Sequence, residues 1–235
     1  MLINVLQTFN SEMIAEQNLL NNNNHQLSIS NAKLVLTINK LMVDTIANFK
    51  FYLNSDFHKK KNLNENELTQ FYTKQAQILI REKDYPFNVE CEYKDAYNLS
   101  KGFSDFFFYT NEQNVSAQSI FSVESKRLPA PEKSREKEYI IGNKNNGGIE
   151  RYKIEMHGKG LNKCGLLGFI EKEDSTYWIR EINIWIEDLA KVNKVWKKGE
   201  ILSDIETNSE YSILESIAHR KSDKVHLFHL WVKLN

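Results

Sequence analysis

The chain has 235 residues, and its 31 Lys and Arg side chains balance its 31 Asp and Glu side chains, so the formal net charge at pH 7 is zero. A hydrophobic fraction of 41% and a charged fraction of 26% are ordinary for a globular protein with one good core. The charge balance argues against a generally basic nucleic-acid coat protein. It leaves room for a local basic cleft in an enzyme that binds nucleic acid.

The cysteines and the apolar runs indicate where the chain functions. Cys91 and Cys164 show no CxxC spacing, so the sequence predicts neither a disulfide framework nor a thiolate zinc site and favours a reducing, cytoplasmic compartment. No apolar run reaches the roughly 18 residues that a membrane span needs. Residues 1–4 carry no basic group, so we expect neither a signal peptide nor a membrane partner.

Residues 1–58 are predicted to form a helical N-terminal extension. Apolar side chains spaced three and four apart predict a helix over residues 1–20, followed by an Asn-rich loop at 21–24 and a second helix capped by Ser30. The apolar stretch at 34–38 is also compatible with a strand. Such apolar helices suit a homodimer interface or a contact with another protein.

Residues 59–235 are predicted to form the main domain. Asn64 followed three residues later by Glu67 is a capping-box pattern and predicts the start of a helix. The further elements follow in the order strand, strand, strand, mainly helical segment, strand, amphipathic helix and terminal strand, over residues 87–93, 103–109, 118–127, 132–157, 165–170, 175–197 and 225–232. This order predicts an α/β fold with a mixed central sheet flanked by helices on both faces.

Two neighbouring predicted strands carry charged side chains inside apolar runs. Glu124 and Lys126 are two residues apart in the segment FSVESKRL, so they lie on one face of the strand. Asp105 lies in the preceding, aromatic-rich strand. Burying a carboxylate and an ammonium group is costly unless each has a partner. A divalent cation and a phosphodiester are such partners.

The region from about residue 65 to residue 170 resembles the PD-(D/E)xK nuclease superfamily, which has the restriction-endonuclease-like fold. The resemblance rests on Asp105, on the Glu124-Ser125-Lys126 tripeptide about one hairpin later, and on a preceding helix with Glu67. It implies that Asp105 and Glu124 bind Mg²⁺ or Mn²⁺, with the Ser125 carbonyl and Glu67 as further ligands. Lys126 would orient or help to deprotonate the attacking water.

The resemblance also implies an activity and a setting. We expect a Mg²⁺-dependent endodeoxyribonuclease that acts in bacterial restriction or antiviral defence, as a homodimer or within a larger defence complex. RNA is the alternative substrate, and a catalytically inactive subunit for nucleic-acid binding or assembly is the alternative role. Ser104 stands where the namesake proline of the motif would be, which weakens the match.

Each of these residues also has a purely structural interpretation. Glu124 and Lys126 could be the salt-bridged polar face of an edge strand, and Glu92 with Lys94 shows how easily the tripeptide arises. The capping box alone explains Glu67, and Glu65 is a weaker candidate of the same kind. Basic residues after the motif are candidates for phosphate contacts or simply solvated side chains: Lys144, Arg151 and Lys153. His157 is expected to be structural or solvated, near the end of a helix.

Overall fold

The computed structural model describes residues 25–55, 62–94, 102–111 and 118–234. The helix and loop predicted over residues 1–24 lie outside these ranges. The chain divides into two compact units, residues 1–40 and residues 41–235. No helix in the described part of the chain is long and apolar enough to cross a membrane.

Seven strands of the second unit form one sheet. They are β1 (Phe87–Lys94), β2 (Phe103–Thr110), β3 (Phe121–Leu128), β4 (Lys163–Ile170), β5 (Ser203–Thr207), β6 (Tyr211–His219) and β7 (Lys224–Lys233). Their order across the sheet is β1-β2-β3-β4-β7-β6-β5. The pairs β3–β4 and β4–β7 are parallel and the other four pairs are antiparallel. The predicted mixed sheet is therefore confirmed.

The described residues also form four α-helices: α1 (His25–Leu53), α2 (Glu65–Glu82), α3 (Gly148–Lys153) and α4 (Ser175–Val192). The predicted capping box of α2 is confirmed, because Asn64 Oδ1 accepts the Glu67 N–H at 3.0 Å and Glu67 Oε2 accepts the Asn64 N–H at 2.9 Å. The stretch at 34–38, which the sequence left open, lies within α1. Short 3₁₀ turns cover Lys133–Arg135 and Lys198–Glu200.

The prediction was wrong in several places. Ser30 was expected to cap the second helix, but α1 begins at His25 and includes Ser30. The amphipathic helix predicted to reach residue 197 ends at Val192. Residues 132–157 were expected to be mainly helical, but they hold only a three-residue 3₁₀ turn and the six-residue α3. The Gly- and Asn-rich stretch at 142–148 interrupts any longer helix, because glycine is a poor helix former. Strands β5 and β6 were missed. In β6 the buried positions alternate with half-buried ones, but Ser and Ala share the buried positions with Leu, so its hydrophobic periodicity is weak.

Side chains on the two faces of the sheet pack against different helices. On one face, Phe106 of β2 packs against Tyr72 of α2, and Phe49 of α1 packs against Tyr72 and Phe169. On the other face, Leu166 of β4 belongs to a core cluster that includes residues of α3 and α4. Because successive strand residues point to opposite faces, this second face also receives the side chains at positions 105, 124 and 126.

Candidate active site

Strand β3 places two charged side chains in the interior of the protein. It lies between β2 and β4, and its residues are buried from Phe121 to Lys126. Glu124 is completely buried and Lys126 is 6% exposed. The interpretation as a solvated edge strand is therefore wrong, since both groups lie inside the protein and need partners there.

Asp105 lies on the same face of the sheet as Glu124. Phe106 and Val123 are the last pair of the β2–β3 ladder, and Asp105 and Glu124 are the next residues beyond that pair on their strands, so alternation puts their side chains on the same face. The Asp105 side chain also forms a hydrogen bond with β3: its Oδ2 accepts the Ser125 backbone N–H at 2.6 Å. The structure thus brings together the three residues that the motif singles out.

The Lys126 ammonium is the centre of this cluster. Its Nζ lies 2.9 Å from Glu124 Oε1, 2.8 Å from the Ser125 carbonyl oxygen and 3.2 Å from Glu65 Oε1. The other Glu65 oxygen accepts the Arg127 backbone N–H at 3.1 Å. An ammonium group has three protons to donate, and these three acceptors satisfy them.

The acid that α2 contributes to the cluster is Glu65 rather than the predicted Glu67. The Glu67 carboxylate is used by the capping box, where it accepts the Asn64 N–H. Glu65 is the first residue of α2 and reaches the far end of β3 instead. Glu67 was predicted as a ligand because the resemblance implies an acid from the first helix, whereas the capping-box interpretation of Glu67 is the one that the structure shows.

Helix α3 brings a second cation to Glu124. Arg151 Nη1 donates to Glu124 Oε1 at 2.5 Å, and the Arg151 side chain is 24% exposed. The close approach of α3 requires glycine at its first residue. A Cβ atom on Gly148 would lie 2.8 Å from the Tyr139 carbonyl oxygen and 3.0 Å from a Leu166 methyl carbon.

The other two predicted phosphate-binding residues are placed differently. The Lys153 ammonium is buried on the Glu200 carboxylate and also lies 3.2 Å from the His219 carbonyl oxygen. In this conformation Lys153 is therefore not accessible to a substrate, contrary to its prediction. Arg151 and Lys153 are two residues apart on an α-helix, so their side chains point to nearly opposite sides. The Lys144 side chain is exposed in the loop before α3.

The surroundings set the protonation of the cluster. Burial, together with the charge of Glu124, raises the pKa of Asp105 to about 7, against the opposing effect of Lys126. Burial would also raise the pKa of Glu124, but the neighbouring cations, Lys126 first, hold it below its ordinary value. Burial disfavours charged Lys126, yet its three carboxylate neighbours raise its pKa well above the ordinary value. At neutral pH Glu124 and Lys126 are charged, whereas Asp105 is about half protonated.

His157 also lies beside Glu124, a position that the sequence analysis did not predict. It is 2% exposed, and its Nδ1 lies 3.8 Å from Glu124 Oε2. Within the described ranges, Glu124 Oε2 and both ring nitrogens of His157 have no hydrogen-bond partner. The residue lies in an irregular segment after α3, where no periodic pattern indicates burial. Burial lowers its pKa to about 4, so the ring is neutral at pH 7.

The cluster contains carboxylate oxygens, which are the kind of donor atom that a divalent cation binds. Glu124 Oε2 is a buried carboxylate oxygen without a partner among the described residues, and Asp105 lies on the neighbouring strand. Among those residues no group of three or more His, Cys, Asp or Glu side chains is arranged to hold a metal ion. Mg²⁺ needs no such cage, since one or two carboxylates with waters and phosphate oxygens commonly bind it.

Comparison with protein-family models, with curated proteins and with solved structures finds no match for this chain. Its function must therefore be inferred from the side-chain cluster around Glu124.

Proposed function

We propose that this chain is a metal-dependent nuclease of the PD-(D/E)xK type that hydrolyses phosphodiester bonds in DNA, in restriction or antiviral defence. The observation that carries the proposal is the convergence of Asp105, Glu124 and Lys126 on one face of the sheet, joined through the Ser125 N–H and the Lys126 ammonium. One carboxylate oxygen in this cluster lacks a partner among the described residues. These are the groups that the motif requires, in the protonation states described above.

The order of elements also supports the proposal. Helix α2, the antiparallel strands β1 to β3, helix α3 and the parallel strand β4 follow one another along the chain. The resemblance implies this succession of a helix, a mixed sheet and a second helix. The cluster lies immediately beyond the last paired residues of β2 and β3, Phe106 and Val123.

In this proposal each residue has a defined role. Asp105 and Glu124 hold the cation, and the Ser125 carbonyl is available as a third oxygen. The bound ion would lower the pKa of a water and neutralise charge on the phosphate. Because Lys126 stays protonated, it does not serve as the base. It donates a hydrogen bond to the water or the phosphate in exchange for one of its three present acceptors. Arg151, which is partly exposed, can pass from Glu124 to a phosphate oxygen of the substrate.

A second candidate is a catalytically inactive member of the same fold that binds nucleic acid or supports an assembly. The observation in its favour is that Lys126 and Arg151 both bond to Glu124 Oε1, so the Glu124 charge is compensated without a metal ion. Buried ion pairs of this kind are sometimes retained for conformational specificity alone.

Incubation of the purified chain with supercoiled plasmid, single-stranded DNA and RNA distinguishes these functions. The nuclease proposal predicts cutting of DNA with Mg²⁺ or Mn²⁺, none with EDTA, and a loss of about a hundredfold or more in Asp105→Asn. Glu92→Gln is the matched control, because Glu92 belongs to the second Glu-x-Lys tripeptide and is exposed. Cutting of RNA alone would change the substrate to RNA, and binding without cutting would favour the inactive subunit.

A further inference from the structure

The backbone around His157 is held firmly. The buried Arg220 guanidinium donates to the carbonyl oxygens of Tyr152 at 3.0 Å, Gly158 at 2.8 Å and Leu161 at 3.1 Å. These three carbonyls flank His157 on both sides along the chain. A planar guanidinium group that bonds to three carbonyls fixes the path of the segment, so the imidazole has a defined position.

Gly102 packs against the Nε2 side of the His157 ring. Its N–H donates to the Met156 carbonyl oxygen at 3.0 Å. A Cβ atom on Gly102 would lie 3.0 Å from His157 Nε2 and 3.0 Å from that carbonyl oxygen. Because Gly102 has no side chain, the His157 imidazole has room between Gly102 and Glu124.

The imidazole is costly to bury as it stands. A neutral ring has one N–H donor and one acceptor nitrogen, and neither has a partner among the described residues. A buried polar group left unsatisfied carries the full cost of its lost hydration. Glu124 Oε2, which lies 3.8 Å from the ring nitrogen Nδ1, also has no hydrogen-bond partner among the described residues. His157 Nδ1 and Glu124 Oε2 therefore lie near each other, and a group bound between them would supply the partner that each lacks among the described residues.

The distance between Nδ1 and Oε2 indicates what this group is. At 3.8 Å the two atoms are too far apart for a direct hydrogen bond. Two ligands that each lie about 2.1 Å from one ion are separated by about 3.0 Å at a right angle and at most about 4.2 Å. The observed distance falls within this range, and both atoms offer lone pairs to a cation.

We propose that His157 is a nitrogen ligand of the divalent cation held by Glu124, with Nδ1 directed to the ion and the ring proton on Nε2. This inference rests on the proposed function for the cation itself and adds a ligand that the motif does not include. The described side chains are not already arranged as a three-residue metal group, so Asp105, Glu124 and His157 close around the ion as it binds. An imidazole ligand favours first-row transition metals over Mg²⁺, which prefers oxygen donors. The site is therefore selective for Mn²⁺ over Mg²⁺, by about tenfold or more in affinity.

Electron spin-echo spectroscopy of the Mn²⁺-loaded full chain tests the ligand directly. Protein with ordinary histidine should show the modulation of a directly bound ¹⁴N nucleus, and protein labelled with ¹⁵N-histidine should show the ¹⁵N pattern instead. This comparison needs no substitution. A bound Mn²⁺ ion without nitrogen coupling overturns the inference and leaves the nuclease proposal intact, whereas nitrogen coupling in a protein that cuts no nucleic acid overturns the nuclease proposal alone.

A pair of variants assigns the coupling to one histidine. His157→Gln should remove the nitrogen coupling, weaken Mn²⁺ binding by about tenfold or more, and bring the Mn²⁺ and Mg²⁺ affinities within about threefold of each other. His219→Gln is the matched control, because the His219 ring bonds to Glu200 instead. Coupling that persists in a His157→Gln protein with unchanged circular dichroism overturns the assignment. Absence of any Mn²⁺ binding overturns both this inference and the metal-dependent function.

Discussion

Lys126 and Glu124 form an ion pair of 2.9 Å inside a central strand, two residues apart on one face. Neither charge has access to bulk water, with side-chain exposures of 7% and 0%. Each group is therefore the main compensation for burying the other. The same pair that the nuclease proposal uses for chemistry also contributes to the stability of the fold.

Breaking this pair should destabilise the protein strongly. We expect Lys126→Met to lower the free energy of unfolding by about 3–5 kcal/mol, because it leaves Glu124 buried with less compensation. The double variant Lys126→Met/Glu124→Leu should lose less than the sum of its single variants. Urea denaturation measures both. Lys191→Met, which breaks the exposed pair with Asp188, is the control and should leave the midpoint unchanged. A Lys126→Met protein as stable as the wild type would contradict this account.

Metal binding should depend on pH through Asp105. In the folded protein the pKa of this carboxyl is raised from 3.8 to about 7, so below pH 7 a cation must displace its proton. The affinity for Mn²⁺ should then fall about tenfold for each pH unit below 7 and level off above it. Calorimetry in two buffers of different ionisation enthalpy measures the affinity and the protons released. Asp105→Asn should bind more weakly and lose the pH dependence, and a wild-type affinity that is constant from about pH 5.5 to 7 would refute this role of Asp105.

A second buried histidine lies in the core away from the candidate site. Trp231 Nε1 donates to the Tyr139 hydroxyl at 2.8 Å, and that hydroxyl donates to His229 Nδ1 at 2.7 Å. The proton of the neutral ring is then on Nε2, which donates to Ser216 Oγ at 2.8 Å. Burial lowers the pKa of His229 to about 3.

Mild acid should destabilise the fold. Between pH 6.5 and about 4, His157 and His229 are protonated in the unfolded chain but neutral in the folded protein. Each therefore lowers the free energy of unfolding by up to about 1.4 kcal/mol for each unit by which the pH falls. Asp105 acts in the opposite direction, because its raised pKa gives stability that is lost as the pH rises from 3.8 to about 7. The net expectation is a loss of about 1.4 kcal/mol per pH unit, measured by urea denaturation.

Substitutions separate these contributions to the pH dependence. Asp105→Asn should steepen the slope, because it removes the opposing group. His229→Gln should flatten it, and the slope remains interpretable even where the variant is less stable overall. Wild-type stability that rises between about pH 6.5 and 4.5 would contradict the assignment of two neutral, buried histidines.

A glycine comparison tests the packing around His157. Gly102→Ala places a methyl group against His157 Nε2 and the Met156 carbonyl oxygen, and we expect a loss of about 1–3 kcal/mol in stability. Gly199→Ala is the control, because its added Cβ atom would meet nothing within 4 Å. Thermal unfolding of both variants gives the answer. Equal melting temperatures would show that the ring has more room than the structure gives it.

The sequence predicted much of the fold because strong local patterns were present. The capping box at Asn64 and Glu67 and the apolar runs of β2, β3 and β4 each identify their element directly. The segment 132–157 was misjudged because charged residues without an apolar stripe do not distinguish a helix from a loop. Strands β5 and β6 escaped because tertiary packing, rather than hydrophobic alternation, defines their buried positions.

The candidate site was only partly predictable for a related reason. Asp105, Glu124 and Lys126 were recognisable because a charged side chain in an apolar strand is conspicuous in a sequence. Glu65 was only a weaker candidate and His157 was expected to be structural or solvated, since each reaches the cluster from an element far away along the chain. Which acid of α2 reaches β3, and which residue of the segment after α3 faces Glu124, depend on how the elements pack, and spacing in the sequence does not encode this.

The most direct measurement for the central claim is anomalous diffraction from crystals of the chain soaked in Mn²⁺. The account predicts one strong peak within about 2.5 Å of a carboxylate oxygen of Asp105 and of Glu124, beside the Lys126 ammonium. A map without such a peak, in which the ion pairs of Glu124 with Lys126 and Arg151 are intact, would contradict it.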